Sequence, residues 1–240
     1  KKVIIANNLW SIVNTFFGKD ITGLSVLGTW YTIIVYSLYV YFDFSGYSDI
    51  AIGLGRMFGF HFDENFRYPF VSKNITEFWQ RWHISLGTFF RDYLLYVPIF
   101  GKRRKYLNLF LVWFCTGFWH GANWTFLLWG ILHGLMMVFD RIFGKLEEKI
   151  FEPVRWAVSF FCVNVLWLLF RSDSIGQWKQ IIKTIAQFNS TSISEGLLNS
   201  FVLPEAGFLT DAPYRQTDQR NTRLLDAVIC FWLPVALPCS

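Results

Sequence analysis

The sequence predicts an all-α integral membrane protein, a multi-spanning helical bundle that contains short broken or re-entrant helices. Three observations carry this. Hydrophobic residues make up 53% of the 240 and aromatics 20%. Charged residues fall to 16%, against about a quarter in soluble domains. The apolar residues gather in blocks of 14 to 24, and short links between the blocks hold most of the charge. A spanning helix needs about 20 mostly apolar residues, and shorter pieces survive when other protein surrounds them.

The elements follow in order. The first span is ITGLSVLGTWYTIIVYSLYVYFDF, from Ile21 to Phe44. Residues 45–60 are shorter and Gly-rich, and Gly46, Gly53, Gly55 and Gly59 allow either close helix packing or a broken helix. A polar link carrying His61 and Pro69 follows, with extended backbone expected before the proline. ITEFWQRWHISLGTFFRDYLLYVPIF then reads as one helix from Ile75 onward. Asn74 or Ser72 caps it, and Glu77 pairs with Arg81 at i,i+4. Its polar residues suit an interfacial or partly buried helix.

From Tyr106 to Phe139 run 34 residues whose only titratable acid–base groups of note are two histidines and a cysteine. TGFWHGANW divides them into pieces of about 14 and 16 residues, each short for a lone span. Irregular backbone at such a break survives in a membrane only where protein or an aqueous cavity shields it. A further span covers Trp156 to Phe170. The expected division is a partial catalytic domain over 1–188, a polar loop over 189–223, and a short apolar tail over 224–240.

The net charge of +5 does not imply a nucleic-acid partner, because the basic residues flank apolar blocks. Lys102–Lys105 and Arg141 with Lys145 read as cytoplasmic anchors in contact with membrane lipids. The four cysteines are far apart, and no metal-ligand spacing appears. The chain opens on KKVIIANNLW without an initiator Met, which reads as the interior of a longer protein.

His120 is the leading candidate for chemistry. It lies in a strongly apolar block between Gly117 and Gly121, beside Trp119, and an intramembrane titratable group is a functional hypothesis by default. Such a setting favours the neutral imidazole that a general base needs. The alternative is a buried histidine bridging two helices. His83 is the second candidate, with Arg91 two turns on and roughly on its face. Arg91 then offers a cation to substrate, or else anchors a lipid headgroup. Asn123 either orients His120 or fixes the turn. His133 reads as a packing group, His61 as solvent-facing, and Asp43 and Asp49 as buried partners of Arg or His or members of a wet turn.

Three stretches in order, YFDFSGYSDIAIGLGRMFGF, NFRYPFVSKNITEFWQRWHISLGTFFRDYLLYVP and TGFWHGANWTFLLWGILHG, resemble the membrane-bound O-acyltransferase family. The likeness spans about residues 1 to 145 and points to the alginate and peptidoglycan O-acetyltransferase branch. It implies a multi-pass enzyme of the bacterial inner membrane whose helices surround a tunnel. His120 of the WHG motif and His83 of the RWHISL motif become the expected catalytic residues, with Arg91, Asn123 and Trp119 at the substrate. The implied donor is acetyl-CoA or another acyl thioester, taken from the cytoplasmic side as a substrate, with no bound cofactor and no metal. The implied acceptor is a cell-envelope polysaccharide, reached directly or through a periplasmic O-acetyltransferase partner.

Full members of the family are longer, and the pattern fades after about Asn189. A C-terminal-half fragment with an atypical tail is therefore expected, inactive on its own. A transporter or flippase component is the rival reading from buried histidines and broken helices, although no internal repeat supports it.

Overall fold

A computed structural model describes residues 1–17, 25–98, 102 and 104–187. A π-helical turn, Lys2–Ala6, leads into α1, Asn7–Phe17. The long helix α2 covers Val26–Met57, and a 3₁₀ turn at Pro69–Val71 precedes α3, Ile75–Arg81. Next comes α4, Ile84–Phe90, which widens into a π-helical stretch at Arg91–Leu95. The remaining helices are α5 (Lys105–His120), α6 (Trp124–Glu147), α7 (Glu152–Arg171) and α8 (Ile175–Gln187). Among the described residues the one β-type pairing outside the helices that involves the site is an isolated antiparallel bridge, Phe66 to Trp82.

Helices α6 and α7 are each long and apolar enough to cross a membrane. Both turn large apolar side chains outward, including Leu135 and Phe139 on α6 and Val158 and Phe161 on α7. Contiguous exposed apolar surface of this kind is rare on soluble monomers and suits a lipid environment. Inside, the bundle centres on tryptophan. Trp82, Trp113, Trp129 and Trp167 are all buried, together with Phe78, Leu166 and Leu169. Their large rings bury much area each, and Trp82 and Trp129 both meet the ring of Trp167, at 4.9 and 6.0 Å.

Polar clamps join the elements. Ser37 of α2 donates to Asn164 Oδ1 of α7 at 2.7 Å, with Asn164 fully buried. Asp140 of α6 accepts from the backbone N–H and hydroxyl of Thr76, so it caps α3 from another helix. Lys73 meets Glu152 at 2.8 Å, which fixes the starts of α3 and α7 together.

The structure changes several expected details. The Gly-rich segment does not break: α2 continues through Gly46, Gly53 and Gly55 to Met57. Of the two uses foreseen for these glycines, close packing is the one found, because a Cβ on Gly46 would lie 2.9 Å from the Lys2 nitrogen. Asp43 and Asp49 sit on that helix and pair with Lys2 and Lys1, rather than with Arg or His or in a turn. Tyr68, before Pro69, is left-handed (φ 48°) where extended backbone was expected, and this turns the chain into the 3₁₀ segment.

The region after Arg171 holds a helix that the sequence reading passed over. In α8, Ile181 is buried against Ile33 and Leu168, and Trp178, Ile182 and Ile185 complete an i, i+3, i+4, i+7 stripe. Residues 21–24 of the first expected span, the polar loop 189–223 and the tail 224–240 lie outside the described residues.

Candidate active site

Helices α5 and α6 form an antiparallel hairpin whose turn carries His120. Their approach depends on missing side chains. A Cβ on Gly117 would lie 2.6 Å from the Phe126 carbonyl oxygen, and one on Gly130 would lie 2.8 Å from the Gly117 Cα. Gly134, four residues after Gly130, faces Trp113 in the same way, so Gly130 and Gly134 make a small-xxx-small seam. The hairpin then turns at Gly121, whose φ of 153° lies in a region that L-residues rarely adopt. There a Cβ would also strike the Phe126 ring.

His120 is the last residue of α5 and is half-buried. Its ring stands edge-on to Trp129 at 5.2 Å and to Phe170 at 5.3 Å, with Trp119 at 5.5 Å.

His83 comes to the site through a break. The expected single helix from Ile75 is in fact two, α3 and α4, separated at Trp82–His83. Asn74 caps α3 by accepting from Glu77 N–H at 2.7 Å, and Glu77 accepts from Arg81 at 2.8 Å, both as expected. The break arises because the extended link 65–67 pairs with 81–84. Arg67 N–H donates to the Arg81 carbonyl at 2.9 Å, and Ile84 N–H donates to the Asn65 carbonyl at 3.0 Å. His83 takes left-handed backbone (φ 45°), uncommon for any residue with a side chain though enriched for His. Backbone held there stores about 1–3 kcal/mol, and such positions cluster at functional sites.

The His83 ring is 4% exposed and packs edge-on to Phe44 of α2 at 4.6 Å. Its Nδ1 lies 3.2 Å from Asn65 Oδ1. That oxygen also accepts from the backbone N–H and the hydroxyl of Ser85, each at 3.1 Å. Trp82, the chain neighbour of His83, and Trp129, beside His120, both pack on Trp167. Distant in sequence, the two candidate histidines thus flank one aromatic cluster.

The other expected site residues divide. Trp119 lies beside His120, 40% exposed, and meets Phe90 of α4 at 6.3 Å. Asn123 is exposed and caps α6, accepting from Thr125 N–H at 3.2 Å and donating to the Asp173 carbonyl at 3.3 Å. Fixing the turn is thus its visible work. Arg91 is exposed and paired with Asp92 at 3.0 Å. The continuous helix that would have put it on the face of His83 does not exist. His133 is buried between Trp79, Trp113 and Trp129 and accepts the Trp79 indole N–H at 3.1 Å, as a packing group does. His61 is exposed.

Asn65 was missed. Its only sequence signal was an asparagine in a polar link, where solvent is the usual reason for one. The pairing with residues 81–84 is what makes it part of the site.

An all-α bundle with two membrane-length helices, carrying two histidines among its aromatic side chains, points to a class. The model of the membrane-bound O-acyltransferase (MBOAT) family matches residues 19–172, and the chain belongs to that family. The match contains His83, His120 and Asn65. The chain is 43% identical over 202 residues to the probable alginate O-acetylase AlgI of Pseudomonas putida, covering 81% of this chain and 41% of that protein. It is 40% identical over 238 residues to the probable alginate O-acetylase AlgI of Azotobacter vinelandii, covering 89% and 47%. Likeness to the peptidoglycan O-acetyltransferase of Helicobacter pylori is 39% over 201 residues, covering 80% and 38%. The chain therefore spans less than half the length of these relatives.

Proposed function

We propose that this chain carries the reacting centre of a membrane O-acyltransferase that moves an acetyl group from a thioester to hydroxyls of a cell-envelope polysaccharide, directly or through a periplasmic partner. The single observation that carries the reading is the placing of His83 and His120 on either side of one aromatic cluster, through Trp82, Trp167 and Trp129. Family membership and the relatives' acetyl-transfer names support the same chemistry.

In the mechanism, neutral His120 accepts the proton of the acceptor hydroxyl as its oxygen attacks the thioester carbonyl. The C–O bond forms, the C–S bond breaks, and the proton passes on to the departing thiolate. His83 positions the reacting groups beside it. Acetyl-CoA or a similar thioester is the donor, and Trp119, at the mouth of the aromatic wall, meets substrate. Arg91 and Asn123, both exposed, serve substrate more remotely.

Helix lengths support access from two sides of a multi-pass inner-membrane protein. The 16 residues of α5 rise about 24 Å, and so does the apolar part of α6 from Trp124 to Phe139. A hydrocarbon core is about 30 Å thick. With the basic ends at the cytoplasmic face, the His120 turn then lies inside the far boundary, within a tunnel open to donor and acceptor.

The test supplies labelled acetyl thioester and glycan to membranes that carry the complete gene product. Label appearing on glycan hydroxyls, and absent from gene-deleted membranes, is the expected result. A protein present at normal level that moves no label to any envelope glycan, with or without a periplasmic fraction, overturns the reading.

A further inference from the structure

We propose that Asn65 is a positioning residue that holds His83 as its Nδ1–H tautomer, so that Nε2 is a proton acceptor rather than a donor to a carbonyl oxygen. The proposal rests on the reading of His83 and His120 as the acyl-transfer pair, and goes beyond it by assigning the proton on one of them.

The assignment follows from one donor that cannot change. The Ser85 backbone N–H points at the Asn65 side-chain atom 3.1 Å away, and an N–H cannot accept, so that atom is the oxygen. Flipping the amide would set two N–H groups against each other. With oxygen in place, its lone pairs also face His83 Nδ1 at 3.2 Å. A bare Nδ1 there would oppose lone pair to lone pair, whereas a protonated one makes a hydrogen bond. The Ser85 hydroxyl is the competing donor, but it lies 3.5 Å from Nδ1 and 3.1 Å from the Asn65 oxygen. A neutral imidazole carries one proton, so Nε2 keeps its lone pair.

The mounting is rigid as well as specific. Asn65 is 2% exposed, and its own carbonyl accepts from Ile84 N–H. The Phe66–Trp82 bridge adjoins it. The interaction that breaks α3 from α4 therefore also delivers the group that sets the ring. Neutral His83 in this form cannot polarise the thioester carbonyl through Nε2. It can take a proton released as the C–O bond forms, and it can return that proton to the thiolate as the C–S bond breaks. The proton in question is the one that His120 first takes from the hydroxyl, so His83 serves as its relay toward the thiolate.

Around His83, Phe44 and Trp82 are apolar and Asn65 and Ser85 are neutral. A carboxylate at position 65 would therefore set a negative charge directly against the His83 ring.

The experiment is nitrogen NMR of histidine-labelled complete gene product in nanodiscs, with the His83 signals assigned by His83→Gln, alongside acetyl transfer by Asn65→Ala and Asn65→Asp. Wild type should show a protonated Nδ1 and a bare Nε2 on His83. Asn65→Ala should release the tautomer and lower kcat about tenfold or more with donor KM little changed. Asn65→Asp should keep Nδ1–H, restore most of the rate, and move the acid limb of the pH profile upward, because a carboxylate stabilises the imidazolium. A wild-type His83 protonated at Nε2 overturns the proposal, and so does an Asn65→Ala protein with unchanged tautomer and rate. The tautomer is read without any acyl transfer. If it is as stated and no substrate reacts, the functional reading fails while the assignment of the proton stands.

Discussion

At the residue scale, the four histidines separate by their partners. His133 accepts an indole N–H inside a cage of three tryptophans, so its removal strands the Trp79 donor in the core. Leaving a buried donor unpaired costs about 1–3 kcal/mol. His133→Ala should lower the unfolding midpoint of detergent-solubilised protein while the fraction that remains folded stays active, and His61→Ala should change neither. Thermal unfolding beside specific activity checks both. His120 and His133 were readable because a titratable group in an apolar run is conspicuous in the bare sequence. Asn65 was not readable, since nothing local distinguishes it from an ordinary loop asparagine. Arg91 failed for a related reason: its place beside His83 was inferred from helical periodicity, and periodicity holds only while the helix does.

At the scale of elements, composition located most helices, because long apolar runs leave few other structures. The α5 and α6 boundaries fell close to the Gly121–Asn123 break, where Gly121 and Asn123 disfavour continuing a helix. Tertiary pairing overrode local pattern twice. It split α3 from α4 at Trp82–His83, and it let α2 run on through glycines that alone weaken a helix by about 1 kcal/mol each. The glycines accordingly differ in what they permit. A methyl at Gly130 meets the Gly117 backbone, whereas one at Gly53 meets nothing within 4 Å. Gly130→Ala should spread the α5–α6 hairpin and sharply reduce folded protein in the membrane. Gly53→Ala should be neutral or slightly stabilising. Unfolding midpoints of the two variants, side by side, test whether this seam sets the hairpin.

At the scale of the whole molecule, the antiparallel hairpin puts Lys105 and Lys145 at one end and His120 at the other. From the excess of basic residues in short flanks we propose that this first end faces the cytoplasm. Single cysteines placed at Lys102 and Lys145 should resist an impermeant thiol reagent applied outside intact cells and label only after permeabilisation. Strong labelling of both from outside reverses the orientation. A tunnel open from two sides is not legible in composition: it would depend on how helices from distant parts of the chain meet, and it is the resemblance of several motifs that proposes it.

The account turns on His120, and a four-histidine alanine series in the complete gene product tests it most directly. Each variant is scored for acetylated glycan, with its abundance in the membrane measured alongside. His120→Ala and His120→Asn should each lose about 10²–10⁴-fold in transfer at normal abundance, since neither side chain can take the hydroxyl proton. His83→Ala should match that loss or fall just short of it, while His61→Ala and His133→Ala keep their activity per folded molecule. A His120 variant with near-normal transfer, or one whose loss only tracks a loss of protein, contradicts the account and leaves His120 as a buried histidine that packs two helices together.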